Sequence, residues 1–432
     1  MLRRFIKYTS LNISAMIMAS LAIFIDYFFV SFAKGADGLT GLGLGLPIYS
    51  ITWGLSILLG IGGGAKYAEF KAIQDPHSAN QIFTNTLKLG VLVAIPLVLL
   101  GFFSGALAQL LGAVGHMVPI TADYIRVVLW AAPSFVLYNI FESFARNDDA
   151  PQIAMISSVL YSLLNIVGNF IFILWLDLGV MGSALSTAFA SVVALGCLLI
   201  YWRRRRLSFA PAKATLSLKE TYDICLIGGS SFMGEFLYGF MLMVFNLLIM
   251  RHAGNLGIAA FGIVSSISYV VYYILLGLGQ GIQPLASEYH AKKDQQSLKK
   301  LLRYAMTTNA LLSLIILTIV MTFTQPITGL LNTGGDPYLA QMANAGAQIY
   351  FMAFAFMGLS VVSIAYLSVT SLPEAALWLS FLQGGSLIIP IVWVLAHFYG
   401  MTGIWFSYPV SEVFIVLTSI YYLIKSQKKA VV

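Results

Sequence analysis

The chain has 432 residues, of which 59% are hydrophobic and 9% charged, against about 25% charged in an ordinary soluble domain. With a mean hydropathy of +0.87, that composition excludes a soluble enzyme, a nucleic-acid-binding domain and a disordered chain. The net charge of +7 does not restore a nucleic-acid reading, because its basic residues sit in short segments between long apolar runs.

A transmembrane helix takes roughly 20–25 residues. Cutting the charge-free stretches at clusters of Gly, Pro and Asn predicts twelve, near 11–33, 41–65, 87–112, 121–146, 152–176, 180–202, 221–250, 258–285, 301–323, 338–367, 375–397 and 401–424. The chain opens like a signal peptide with Arg3, Arg4 and Lys7. Its apolar stretch is too long and lacks a small-residue cleavage site, so it reads as the first span. With both termini on the cytoplasmic side, all Lys and Arg except Lys34, Arg126 and Arg251 fall inside, as the positive-inside rule asks. The run Arg203–Arg206, Lys292, Lys293, Lys299, Lys300, Lys425, Lys428 and Lys429 then mark the inner surface.

The second span ends in GIGGGAKYAEFKAIQD (60–75), and the eighth in GLGQGIQPLASEYHAKKD (277–294). Ala150-Pro151 with the later GVMGSALS (179–186) answers Leu372-Pro373 with GMTGIWFS (400–407). These anchors share an offset near 220. The expectation is an all-α membrane protein of two parallel six-helix lobes, 1–202 and 220–432, joined by a basic cytoplasmic linker at 203–219. Parallel repeats are one plan by which transporters hold a site between two moving halves. HExxH, GxSxG and GxxxxGK[ST] are absent, so no enzymatic role is expected. Cys197 and Cys225 make no disulfide framework or metal site. With no ATPase domain, active transport would draw on an ion gradient, and no cofactor is expected.

An ionisable residue inside a span costs a few kcal/mol and is a functional candidate by default. Asp26 lies in the outer half of the first span. Asn165 and Asn169, spaced i and i+4, share one face of the fifth span. Thr187 enters the sixth span at a similar depth, and Tyr124 begins the fourth. A carboxylate level with four polar groups reads as a proton or cation site. Glu142, one turn before Arg146, reads as an i,i+4 pair. Glu235 sits mid-span in the seventh helix among Phe232, Met233, Phe236, Tyr238, Met241 and Met243. This group reads as an adaptable apolar wall with one charge. Glu412, mid-span in the twelfth helix, either lines the same cavity or ties helices together. The substrate-cavity candidates are thus Glu235, Tyr238, Met241 and Glu412.

Twelve spans, two lobes, the acid in FIDYFFVSFAKG (24–35), LLNIVGNFIFI (163–173) and GVMGSALST (179–187) together resemble the MATE family, the multidrug and toxic compound extrusion transporters. The resemblance implies a V-shaped pair of six-helix bundles exporting small organic cations in exchange for H+ or Na+. It implies an ion site on Asp26, Tyr124, Asn165, Asn169 and Thr187, with Na+ possible at Asp26. Some members have an aspartate at the position of Asn169, and some pair the seventh-helix acid with one in the tenth helix. Here no acid occurs between Asp336 and Glu374. A monomer in the plasma (inner) membrane, touching lipid and no nucleic acid, completes the expectation. A flippase-like exporter of lipid-linked metabolites and a major-facilitator-type transporter are the alternatives. The second-to-third loop, AEFKAIQDPHS (68–78), lacks the Gly-Asp-Arg-rich motif of the latter.

Overall fold

The computed structural model describes the chain apart from Asp149, Arg205, Arg206, Val369, Ser371 and residues 430–432. Arg205 and Arg206 of the inner-surface run therefore lie outside the described residues, as do the side chains of Lys428 and Lys429. Among the described residues every regular element is a helix and none is a strand. In hydrocarbon a spanning backbone must satisfy its own N–H and C=O groups, and the helix does so within one segment.

Three apolar helical stretches, Phe24–Lys71, Ser231–His290 and Glu374–Ser426, run 48, 60 and 53 residues, too long for one crossing. Each turns at a glycine with positive φ: Gly35 (56°), Gly254 (61°) and Gly400 (56°). Gly35 and Gly254 pair ψ near −140° to −155° with that φ, a combination essentially closed to residues with a Cβ. Met117–Trp130 and Ala132–Asn147 meet at 44° and form one broken span. Split in this way, the helices make twelve spans among the described residues.

The repeat read from sequence returns in the backbone. Gly35 and Gly254 are 219 positions apart, as are Gln74 and Lys293, both with positive φ (60° and 55°). Asp75 caps the helix Pro76–Gly101 by accepting from the Ser78 N–H at 3.0 Å. Asp294 caps Gln295–Thr322 through the Ser297 N–H at 2.9 Å. Hydrogen bonds from the Ser78 and Ser297 hydroxyls, joined by these N–H bonds, hold both carboxylates below the usual range. Gly179 and Gly400 turn the chain into the sixth and twelfth spans with φ of 54° and 56°. The fifth and eleventh spans each open with proline and widen into a π-helical turn, Phe170–Trp175 and Leu382–Ser386.

Close packing divides the chain elsewhere than at the basic linker. One compact unit is Met1–Leu39 with Leu247–Val432, and the other is Thr40–Asn246. Relative to the repeat, the first and seventh spans have exchanged partners. In the first unit Arg4 bonds Glu288 at 2.6 Å. A Cβ on Gly281 or Gly277 would stand 2.7 Å from the backbone of Thr9 or Ile13. At the other end Thr333 Oγ1 donates to the Ser31 carbonyl at 2.7 Å, and Ser31 Oγ donates to the Leu331 carbonyl.

In the second unit the seventh span lies on the second. A Cβ on Gly228 would stand 2.0 Å from the Leu58 carbonyl oxygen, and one on Gly62 2.1 Å from that of Ile224. Asn246 Nδ2 donates to the Gly43 carbonyl at 2.8 Å. Residues 207–217 are an extended strap along the helix Pro76–Gly101. Asn80 Oδ1 accepts from the Ala210 N–H at 2.8 Å, and Thr84 Oγ1 from the Ala212 N–H at 2.9 Å. Phe209 is fully buried against Phe83 at 4.7 Å between ring centres, with Phe141, Phe144 and Tyr67 around it.

Candidate ion and substrate sites

The fifth and sixth spans pack closely because Gly168 leaves no side chain at the crossing. A Cβ there would stand 2.9 Å from Ser186 Cβ. Their facing polar groups therefore bond one another. Asn165 Nδ2 lies 3.0 Å from both Ser186 Oγ and Thr187 Oγ1, and Ser186 Oγ donates to the Asn165 carbonyl at 3.0 Å. Asn169 Nδ2 reaches Asn165 Oδ1 at 3.5 Å, and Thr187 Oγ1 also bonds the Ser183 carbonyl at 3.2 Å. All of these side chains are buried. The π-helical turn begins directly after Asn169, and such turns are frequent at functional sites. The structure thus brings Asn165, Asn169 and Thr187 together and adds Ser186. The signal for Ser186 was present: Ser183, Ser186 and Thr187 fall at i, i+3 and i+4.

Tyr124 belongs to the same unit, buried, with its ring where a side chain on Gly45 would stand. Asp26 belongs to the other compact unit, half-buried on the first span. Beside it, Tyr27 is buried against Gly262, a Cβ on which would stand 3.2 Å from that ring.

Glu235 is half-buried in the second unit, and its Cβ lies 2.8 Å from where a Cβ on Gly54 would be. Three phenylalanines run past it at successive turns of the helix. Phe232 and Phe236 are 5.6 Å apart, and Phe236 and Phe240 are 6.2 Å apart with near-parallel rings. Met241 is buried and Tyr238 half-buried in the same helix. Glu412 is in the first unit and only 1% exposed. It is bonded to Ser360 Oγ at 3.0 Å, which in turn lies 3.0 Å from Gln383 Nε2. Glu142 does pair with Arg146, and it also accepts from Ser158 Oγ at 3.2 Å.

Asp148, passed over in the sequence, is the most heavily bonded acid outside the spans. It accepts from Tyr67 Oη and Lys71 Nζ, each at 2.7 Å, and from the Ser208 N–H and hydroxyl. Burial alone would raise its pKa, but bonds from Lys71, Ser208 and Tyr67 outweigh that and hold it below the usual range. Among the described residues no group of three or more His, Cys, Asp or Glu could hold a metal ion.

Comparison with known proteins agrees with this architecture. The MatE family profile matches residues 13–171 and 231–394. The multidrug export protein MepA of Staphylococcus saprophyticus is 28% identical over 410 residues, covering 93% of this chain and 89% of that protein. MepA of Staphylococcus aureus is 27% identical, with coverage of 90% and 86%. Among solved structures, an inward-facing multidrug resistance MATE transporter of the MOP superfamily superposes with a TM-score of 0.85 at 20% identity, covering 97% and 98% of the two chains. The MATE multidrug transporter DinF-BH, in complex with a dye, reaches 0.77 at 22% identity, covering 98% and 96%. With its family profile matched across most of its length, its twelve spans and its internal repeat, the chain belongs to the MatE family of membrane transporters.

Proposed function

We propose that this protein exports lipophilic organic cations by alternating access, driven by exchange for H+ or Na+. The observation that carries the substrate class is Glu235, a half-buried carboxylate on the same helix as the phenylalanine ladder 232, 236 and 240. Aromatic faces and one fixed negative charge hold amphiphilic cations through dispersion, cation–π contact and charge attraction. Tyr238 and Met241 extend that wall, whereas the burial of Glu412 sets it apart from them. The names of the relatives, multidrug export proteins, and the dye in the DinF-BH complex support the same class.

Coupling falls to two groups, the acid Asp26 of one unit and the polar cluster Tyr124, Asn165, Asn169 and Thr187 of the other. A proton or Na+ arriving there removes a negative charge from an apolar setting, and an ion can bias one facing over another only through such a difference. The protein acts as a monomer in the plasma membrane, with both termini cytoplasmic. The two halves of the sequence repeat, 1–202 and 220–432 about the linker 203–219, with the first and seventh spans exchanged between the compact units, supply the parts that exchange facing. The test is uptake of ethidium into proteoliposomes under separately imposed H+ and Na+ gradients. Movement under one gradient supports the reading, and transport of anions alone contradicts it.

A further inference from the structure

Glu412 belongs to the unit formed by 1–39 and 247–432, and the hydrogen bonds of its partner Ser360 can be counted hydrogen by hydrogen. Ser360 Oγ, fully buried on the tenth span, has three polar neighbours: the Met357 carbonyl at 2.7 Å, Glu412 Oε2 at 3.0 Å and Gln383 Nε2 at 3.0 Å. A hydroxyl has one hydrogen to give and two lone pairs, while the Gln383 amide nitrogen can only donate. Ser360 therefore accepts from Gln383 and has a single hydrogen for either Met357 or Glu412. If Glu412 is ionised, that hydrogen goes to the carboxylate and the closer Met357 carbonyl goes without it. If Glu412 carries a proton, the carboxyl O–H donates to Ser360 and the serine hydrogen turns to Met357. All three contacts are satisfied together only in the protonated case.

The charge environment points the same way. Among the elements packed on the last helix are Pro337–Tyr350, Phe351–Ala353, Phe354–Ser368, Pro373–Phe381 and Leu382–Ser386. Their titratable residues are Tyr338, Tyr350, Tyr366 and Glu374, none of them cationic. Tyr350 stacks on Tyr408, one turn before Glu412, at 4.4 Å. From residues 247–291, His252 stands beside Gly400, twelve residues or about 18 Å along the axis from Glu412. Among the described residues no Lys, Arg or His pairs with Glu412. An ionised carboxylate there would keep hydrogen bonds from Ser360 and Gln383 but would have no opposite charge to offset its burial.

We propose that Glu412 is a second proton-binding site, within the unit formed by 1–39 and 247–432, and that Ser360 is the positioning residue whose hydroxyl reorients when the proton arrives or leaves. This adds to the coupling role of Asp26 and does not rest on it. Each proton bound removes one negative charge and transfers the serine hydrogen bond from the carboxylate to the Met357 carbonyl.

Infrared difference spectroscopy of the purified full-length protein, titrated from alkaline to neutral pH, tests it without any transport step. The expected result is a protonated-carboxyl C=O stretch that Glu412→Gln abolishes and that Asp26→Asn and Glu235→Gln leave in place. Ser360→Ala should shift this band upward, because the carboxyl O–H loses its acceptor, and that variant keeps the proposal testable should Glu412→Gln fail to fold. Absence of any band lost in Glu412→Gln overturns the proposal. So does a band unmoved by Ser360→Ala, or one that Na+ removes at constant pH, which would make this a sodium site.

Discussion

The strap that joins the two halves of the repeat is fixed to the second unit by Asp148, and Asp148→Asn measures how firmly. The carboxylate receives four hydrogen bonds, from Tyr67, Lys71 and twice from Ser208, with its side chain 1% exposed. Three of the four bonds end on Oδ1 and the one from the Ser208 N–H on Oδ2, so asparagine with its NH2 in the Oδ2 place loses the Ser208 N–H bond and the charge assistance of the other three. Hydrogen bonds to a charged group contribute about 1.5–3 kcal/mol each. Lys71 is 32% exposed and can rehydrate, which places the loss at the lower end, about 3 kcal/mol in all. Phe209 and the bonds from Asn80 and Thr84 still hold the strap, so the loosening should be local.

Hydrogen exchange followed by mass spectrometry reads this directly. The Ser208 amide should exchange about a hundred-fold faster, since each 1.4 kcal/mol is a factor of ten, while the Ala210 and Ala212 amides, bonded to Asn80 and Thr84, stay protected. The pH dependence has a definite sign. The folded pKa of Asp148 lies below its ordinary value. Its contribution is therefore fully present above the ordinary carboxylate range and is lost as pH falls through the folded value. Acid should abolish the difference between wild type and Asp148→Asn. Unchanged exchange at Ser208 in the variant, or a difference that grows in acid, would refute the reasoning.

Gly228→Ala places a methyl 2.0 Å from the Leu58 carbonyl oxygen, so the second and seventh spans must part. A loss of about 1–3 kcal/mol is expected, the usual cost of overpacking, seen as a lower melting temperature, with Gly229→Ala, which meets nothing within 4 Å, as an unaffected control. Asn165→Ala removes the donor shared by Ser186 and Thr187. It should lower thermal stability by about 1–2 kcal/mol, and wild-type coupling in this variant would argue against the cluster as part of the ion site. Glu235→Gln should weaken transport of cationic dyes more than of neutral ones. An equal loss across substrates together with a lowered melting temperature would assign Glu235 to helix packing instead.

The span count and the repeat were legible because they follow from bilayer thickness and from glycines that recur at one offset. Helix ends were less so. The third span was expected at 87–112 and the helix runs Pro76–Gly101, because hydropathy does not register PHSANQ, whereas the Asp75 cap and Pro76 start the helix there. The first helix likewise begins at Leu2 and not near 11, since its basic turn continues the helix beyond the apolar stretch. Asn165, Asn169 and Thr187 could be grouped from spacing alone, as their contacts lie between two consecutive spans.

The exchange of the first and seventh spans was invisible. It depends on which glycine faces which backbone, and a hydropathy profile carries no information about facing. The same limit hid the bond from Ser360 to Glu412, 52 residues away in sequence. It also hid the strap, whose sequence reads as an ordinary basic linker. There, Phe209 and Asp148 take their meaning only from what surrounds them.

If an ion drives export through Asp26, gradient-driven ethidium flux by Asp26→Asn in proteoliposomes, set beside ethidium binding by the same purified protein, will reveal it. Asparagine mimics the protonated carboxyl permanently, so the account predicts a folded protein that binds the dye with near wild-type affinity and moves none of it in response to either a H+ or a Na+ gradient. Flux at the wild-type rate under the wild-type driving ion would contradict it.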